Sequence, residues 1–222
     1  MDDPGLDMPR YHGALRGLSR LNKLSASVSH LWRVIARLAR EEKRTRLRVL
    51  DIATGAGDIP LGLWRKAKRA GLDLEILGVD ISPRSIAFAS EQAAEAGAKI
   101  DFQQCNVLCD PLPTGRDVIV SSLFLHHLTN ADGLQLLLRA REATGRMIAV
   151  SDLLRSRRGL LLAHLASRVF TSSEVVRVDG PLSVKAAYTL AEAADLARRA
   201  GLDGAVFHRR WPCRFLLEWR KP

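Results

Sequence analysis

An α/β fold, a mostly parallel sheet with helices on both faces, is what this chain predicts, and three features predict it. Between residues 47 and 151, short apolar runs alternate with longer amphipathic ones, the pattern of successive strand-helix-strand crossovers. The first run, Val49-Leu50-Asp51-Ile52, delivers the chain to a Gly-x-Gly turn at Gly55 and Gly57, where the lack of a side chain lets backbone approach a ligand closely. Asp80 then closes the second apolar run, a position from which a carboxylate can accept hydrogen bonds from ribose hydroxyls.

Ahead of the alternation, residues 1–45 read as an N-terminal helical cap. Val28, Leu31, Trp32, Ile35, Leu38 and Ala39 recur at helical spacing, which leaves Arg33, Arg37 and Arg40 on a solvated side. Residues 46–222 form one ligand-binding domain. Its first strand is 47–52, and the following helix, 59–70, tolerates Pro60 in its first turn and stops at Gly71. The second strand, 74–79, ends at Asp80; Ser82 caps the next helix, with Pro83 at its first position, and that helix runs to Gly97. Residues 100–105 and 117–122 are the third and fourth strands. Thr129-Asn130-Ala131-Asp132 starts a helix that Gly145 terminates, and 147–151 is the fifth strand. Residues 152–188 break this rhythm with an amphipathic piece at 160–170 and an irregular stretch holding Asp179-Gly180-Pro181, so we expect a lid there, with Arg155, His164 and Tyr188 as candidate contacts. Thr189-Leu190-Ala191-Glu192 is a capping box that opens a last helix to Gly201. An antiparallel hairpin, 205–209 with 214–219, closes the chain.

Composition narrows the function. At 222 residues, with 47% apolar and 26% charged side chains, the chain suits one well-buried globular domain. Its longest apolar runs stop far short of the roughly 20 residues of a membrane span, and the acidic start, with Asp2, Asp3 and Asp7, carries no secretory signal pattern. A cytoplasmic protein without a span is expected, with room only for peripheral membrane contact. Cys105, Cys109 and Cys213 form neither a disulfide framework nor a zinc ligand set, so no metal is expected. The net charge of +10 gathers at residues 10–48 and 198–221 and raises the reading of a basic nucleic-acid-binding module. Helical periodicity explains the first cluster as a solvated face, so no specific nucleic acid is expected. The oligomeric state is not legible in the sequence.

The Gly-x-Gly turn also fits a nicotinamide-dependent oxidoreductase, but a dinucleotide fingerprint would place Gly or Ala at position 60, where Pro60 stands. Asp58 just after the glycines would repel a pyrophosphate and favour a cationic ligand. Asp51-Ile52-Ala53-Thr54-Gly55-Ala56-Gly57-Asp58 resembles motif I of class I S-adenosylmethionine-dependent methyltransferases, especially the ubiquinone/menaquinone branch. Gly78-Val79-Asp80-Ile81-Ser82, Gln104-Cys105-Asn106-Val107 and Asp117-Val118-Ile119-Val120-Ser121 are similar to the family's next three motifs, in order. The resemblance implies a Rossmann-like seven-stranded sheet and S-adenosylmethionine as cofactor, held by Asp51, Ala53, Thr54, Gly55, Gly57, Asp80, Ile81, Asn106, Val107 and Ser122. In that scheme Asp51 reaches the methionine ammonium, the glycines meet the methionine moiety and Asp80 takes the ribose hydroxyls. Ile81 lies on the adenine face, and the Asn106 amide oxygen and Val107 N–H bind the adenine edge.

The acceptor side is carried by Ser122-Leu123-Phe124-Leu125-His126-His127-Leu128, directly after strand four, where parallel sheets open their ligand crevice. A histidine there can take the proton of a phenolic hydroxyl, since its ordinary pKa of about 6.5 leaves it mostly neutral at physiological pH. His127 and His126 are therefore the candidate bases. The Asn/Asp-Pro-Pro-Tyr/Phe motif of amino-group methyltransferases is replaced by Ser121-Ser122-Leu123-Phe124. The segments 152–156 and 179–189 look like bacterial methyltransferases associated with type III polyketide synthases, and 20–33 is similar to the segment that closes over the cofactor in quinone methyltransferases. Together these imply a hydrophobic aromatic acceptor, a phenolic polyketide, alkylresorcinol or quinone-like molecule, with O-methylation favoured over C-methylation.

Overall fold

The computed structural model describes residues 26–169 and 174–222. Seven strands form one sheet: β1 Arg46–Ile52, β2 Asp73–Asp80, β3 Ile100–Gln104, β4 Arg116–Ser122, β5 Thr144–Leu153, β6 Val206–Arg210 and β7 Arg214–Arg220. Their order is β3-β2-β1-β4-β5-β7-β6. β1 to β5 run parallel, and β7 runs antiparallel between β5 and β6. The order reverses between β1 and β4, and open parallel sheets bind ligands at that switch, beyond the carboxyl ends of the strands.

The helices are α1 Ser27–Glu41, α2 Asp58–Ala70, α3 Pro83–Glu95, α4 Asn130–Ala143, α5 Arg157–Val169, α6 Glu174–Ala186 and α7 Leu190–Arg199, with a short 3-10 turn at Leu125–His127. Side chains alternate faces along each strand and divide the core in two. Leu47, Val49, Val118, Val120, Met147, Ala149 and Leu216 pack under α1 and α2. Leu50, Ile52, Ile119, Ile148, Val150, Phe215 and Leu217 pack under α4 and α7. Leu31, Ile35 and Leu38 of α1 are fully buried in the first of these clusters, so this helix lies on the sheet. Arg37 pairs with the buried Glu218 of β7 instead of facing only solvent, because α1 runs alongside that strand.

The expected fold class agrees with this architecture, but two local readings do not. The stretch around Asp179-Gly180-Pro181 is helical, lying inside α6 with Pro181 buried. Proline removes one donor and crowds one earlier carbonyl, and the buried Val184 and Ala187 one and two turns on show that packing outweighs the break. Gly145 does not end the helix after strand four: α4 stops at Ala143, and β5 starts at Thr144, which pairs with Arg116 before a bulge. Phe170 and the segment 20–25 lie outside the described residues.

Candidate functional site

The loop after β1 is shaped by left-handed backbone at alternate residues: Ala53, Gly55 and Gly57, with φ of 55°, 53° and 74°. A side chain at Gly57 would place its Cβ 2.8 Å from the Cβ of Ala89 in α3, so the missing side chain is what lets the loop pack against that helix. At Gly55 a Cβ would meet nothing within 4 Å, and the backbone there borders open space. The turn is tied to β2 twice. Gly55 N–H donates to Asp80 Oδ2 at 2.8 Å, and Thr54 N–H donates to the Val79 carbonyl at 2.9 Å. Ser82 N–H donates to the other Asp80 oxygen at 2.9 Å, which sets the carboxylate at the end of β2 and leaves each oxygen a further lone pair.

Asp51 points into the sheet's end and is 1% exposed. Its Oδ2 has no hydrogen-bond partner among the described residues, although the nearby Thr54 side chain partly offsets the effect of burial on it. Burial, with the nearby Asp58 and Asp80 charges adding to it, pushes the Asp51 carboxyl up to about 8. A buried carboxyl with an orphaned oxygen beside a Gly-x-Gly turn fits a ligand that brings a cation, such as the ammonium of S-adenosylmethionine.

Ile81 is 60% exposed just beyond β2. Asn106 Oδ1 accepts from Leu108 N–H at 3.1 Å, and Asn106 N–H donates to Asp110 Oδ2 at 2.7 Å, so the amide oxygen has one lone pair left for a ligand. Val107 is buried in the core. Ser122, at the end of β4, stands opposite Ser151 of β5, and both hydroxyls lack a partner among the described residues.

The two histidines occupy different environments. His126 is 6% exposed, its Nδ1 lies 2.6 Å from Asp152 Oδ1, and its backbone N–H donates to Asp152 Oδ2 at 3.2 Å. His127 is exposed, with its ring centroid 4.1 Å from that of His126. An ionised carboxylate only accepts hydrogen bonds, so Nδ1 of His126 carries a hydrogen, and in the neutral ring the lone pair is then on Nε2. Asp152 is the residue that sequence reading missed as a site member. It is the penultimate residue of β5, the strand adjacent to β4, and the rule that singled out Asp80 could have found it. Among the expected lid contacts, Tyr188 is buried and donates to the Leu128 carbonyl at 3.5 Å, Arg155 pairs with Glu192, and His164 is exposed. The described residues contain no cluster of three or more metal-ligating side chains and no helix long and apolar enough to cross a membrane.

The sheet, its reversed last strand and the loop geometry define the Rossmann-like methyltransferase fold. Residues 49–145 match the family model of a methyltransferase domain, just under half of the chain. The chain is 31% identical over 111 residues to the 3-hydroxy-5-methyl-1-naphthoate 3-O-methyltransferase of Streptomyces sahachiroi, covering 48% of this chain and 31% of that protein. It is 37% identical over 68 residues to the demethylmenaquinone methyltransferase of Thermus thermophilus, covering 31% and 29%. The matched segments thus span about a third of these relatives' length. Among solved structures, the S-adenosylmethionine-dependent methyltransferase SibL superposes with a TM-score of 0.67 at 19% identity, over 99% of this chain and 60% of that one, a likeness of fold.

Proposed function

We propose that the protein is an S-adenosylmethionine-dependent methyltransferase that acts on the hydroxyl of a hydrophobic aromatic small molecule. The observation that carries this reading is the orphaned, buried Asp51 carboxyl beside the Gly-x-Gly turn, braced by Asp80 on the neighbouring strand. Asp51 would hold the cofactor's ammonium and Asp80 its ribose hydroxyls, while Ala53, Thr54, Gly55 and Gly57 present backbone to the methionine portion. Ile81, Asn106 and Val107 would border the adenine, and Ser122 would face the reacting end. When bound, S-adenosylmethionine supplies an electrophilic methyl group on a sulfonium.

What remains for the chain is alignment, exclusion of water and removal of one proton. His126 suits the proton transfer, because Asp152 fixes the ring and its tautomer and so leaves Nε2 able to accept the proton of a phenol. His127 flanks it from the exposed side. The oriented histidine favours O-methylation, since a hydroxyl acceptor is the one that needs a base. The methyltransferase-domain match and the naphthoate O-methyltransferase relative support the same reading.

Calorimetry with S-adenosylhomocysteine and a labelled methyl-transfer screen over alkylresorcinols, quinols and hydroxylated aromatics test it together. Asp80→Ala should weaken S-adenosylhomocysteine by roughly tenfold or more, the worth of hydrogen bonds to a charged group. His126→Ala should lower turnover by about 10²-fold or more while leaving that affinity in place. Unchanged affinity in Asp80→Ala defeats the cofactor assignment, and unchanged turnover in His126→Ala removes the base.

A further inference from the structure

One buried charge remains outside the scheme above. Arg214 opens β7 and is 5% exposed, and its guanidinium has a single hydrogen bond among the described residues, from Nη1 to the Ser27 hydroxyl at 2.5 Å. Among those residues it makes no ion pair, although a guanidinium has five donors and buried charges are ordinarily paired. Burial lowers its pKa to about 10 against the more distant Asp152 and Asp58 charges. An unpaired cation is costly to bury in a domain with this many carboxylates, unless something else supplies the anion.

Polar side chains lie near it on the same face of the sheet. Arg214 alternates with Leu216 on the sheet face that α1 covers. Ser151 and Ser122 reach the same face, two residues beyond Ala149 and Val120, and stand opposite each other at the carboxyl ends of β5 and β4. Both hydroxyls are unpartnered among the described residues, as is Nδ1 of the buried His30, which belongs to α1 together with Ser27. A row of unsatisfied donors and acceptors therefore runs from β4 to β7 beneath α1, ending on a guanidinium.

We infer that Arg214 and Ser27 form a carboxylate-binding subsite and that the acceptor is a hydroxylated aromatic acid. The inference rests on the methyltransferase reading, which lays the cofactor over β2 and β1 with its reacting end at β4. The acceptor then lies over β5 and β7. Neighbouring strands are about 4.8 Å apart, so Arg214 stands roughly 10 Å beyond β4, within the span of a small aromatic ring system bearing a hydroxyl at one end and an acid at the other. The cofactor carries a carboxylate too, on the same carbon as its ammonium. With that ammonium at Asp51 on β1, three strand spacings from β7, the distance favours the acceptor as the source.

The probes are 1-naphthoate and its neutral counterpart 1-naphthamide, titrated into the protein saturated with S-adenosylhomocysteine. The wild-type chain should bind the acid at least tenfold more tightly than the amide. Arg214→Gln should abolish that preference while S-adenosylhomocysteine affinity stays within about twofold. Ser27→Ala, a milder change, should reduce the preference several-fold and keeps the test available if Arg214→Gln fails to fold. Equal binding of acid and amide by the wild type, binding of neither, or a preference that survives Arg214→Gln overturns the subsite. A tenfold loss of S-adenosylhomocysteine affinity in Arg214→Gln with no acid preference in the wild type assigns the cation to the cofactor and also overturns it. Failure of the wild type to bind S-adenosylhomocysteine at all, measured first and separately, would instead sink the methyltransferase reading.

Discussion

Asp51 sits inside the end of the sheet with its carboxyl held up to about 8, first by burial and then by Asp58 and Asp80. At pH 7 the ligand-free protein therefore keeps it mostly protonated. A cation bound against it favours the charged form, so binding an ammonium should expel a proton. Calorimetry of S-adenosylhomocysteine at pH 7 in buffers of different ionisation enthalpy should show release approaching one proton, with affinity rising from pH 6 to 8. Asp51→Asn should show none; no proton release by the wild type would place the ammonium elsewhere. The same shift has a sign for stability. A carboxyl raised above its unfolded value binds more protons in the folded state, so its contribution is lost as pH rises from about 4 to about 8. His30 works in the other direction: burial, then Arg210, Arg33 and Arg214, lower it to about 4, so its contribution is lost as pH falls from 6.5 toward 4. Asp51 and Asp80 were legible because each ends an apolar run beside a turn. Arg214 and Ser27 were not, since 187 residues separate them and no local pattern says that a terminal strand inserts beside β5. His126 was visible as a histidine after strand four, but the carboxylate that orients it lies 26 residues away.

Elements with a local signal were legible in proportion to how little tertiary contact decides them. The capping box of α7 is the clearest case. Thr189 Oγ1 accepts Glu192 N–H at 3.3 Å, and Glu192 Oε2 accepts Thr189 N–H at 2.8 Å, as the four-residue pattern requires. Thr189→Ala should therefore lower the stability of the protein by about 1 kcal/mol, read as a shift of the urea midpoint at constant slope. An unchanged midpoint would mean that α7 is held by its buried face alone, through Ala193, Leu196 and Ala197. That same cap positions Glu192 for its pair with Arg155, just past β5, so the first residues after that strand are anchored to α7. α6 is the opposite case. Gly180 and Pro181 carry a strong breaking signal, and what keeps the segment helical is burial beneath it, which no four-residue window contains.

The whole molecule is organised by which helices complete the sheet. A helical cap at 1–45 and a domain at 46–222 would be separable if the cap only covered a ligand, yet α1 supplies Leu31, Ile35 and Leu38 to the core over β4, β5 and β7. Each fully buried aliphatic side chain is worth about 1.5–3 kcal/mol. Three of them approach the roughly 5–15 kcal/mol that stabilises an ordinary domain. The end of α1 is tied further to the sheet, where Glu41 pairs with Arg220 of β7 and Glu42 with Arg146 of β5. Removing α1 would uncover Val120, Ala149 and Leu216, all fully buried in the full chain, and would leave Arg214 without Ser27. We therefore expect the fragment 46–222 to lose cooperative unfolding and its near-ultraviolet circular dichroism, while the full chain keeps both. Retention of a sharp urea transition in the fragment, with a midpoint close to that of the full chain, would show the sheet to be complete without α1. The subsite beneath that helix would then have to be a feature of the closed assembly of cap and domain, and not of the core.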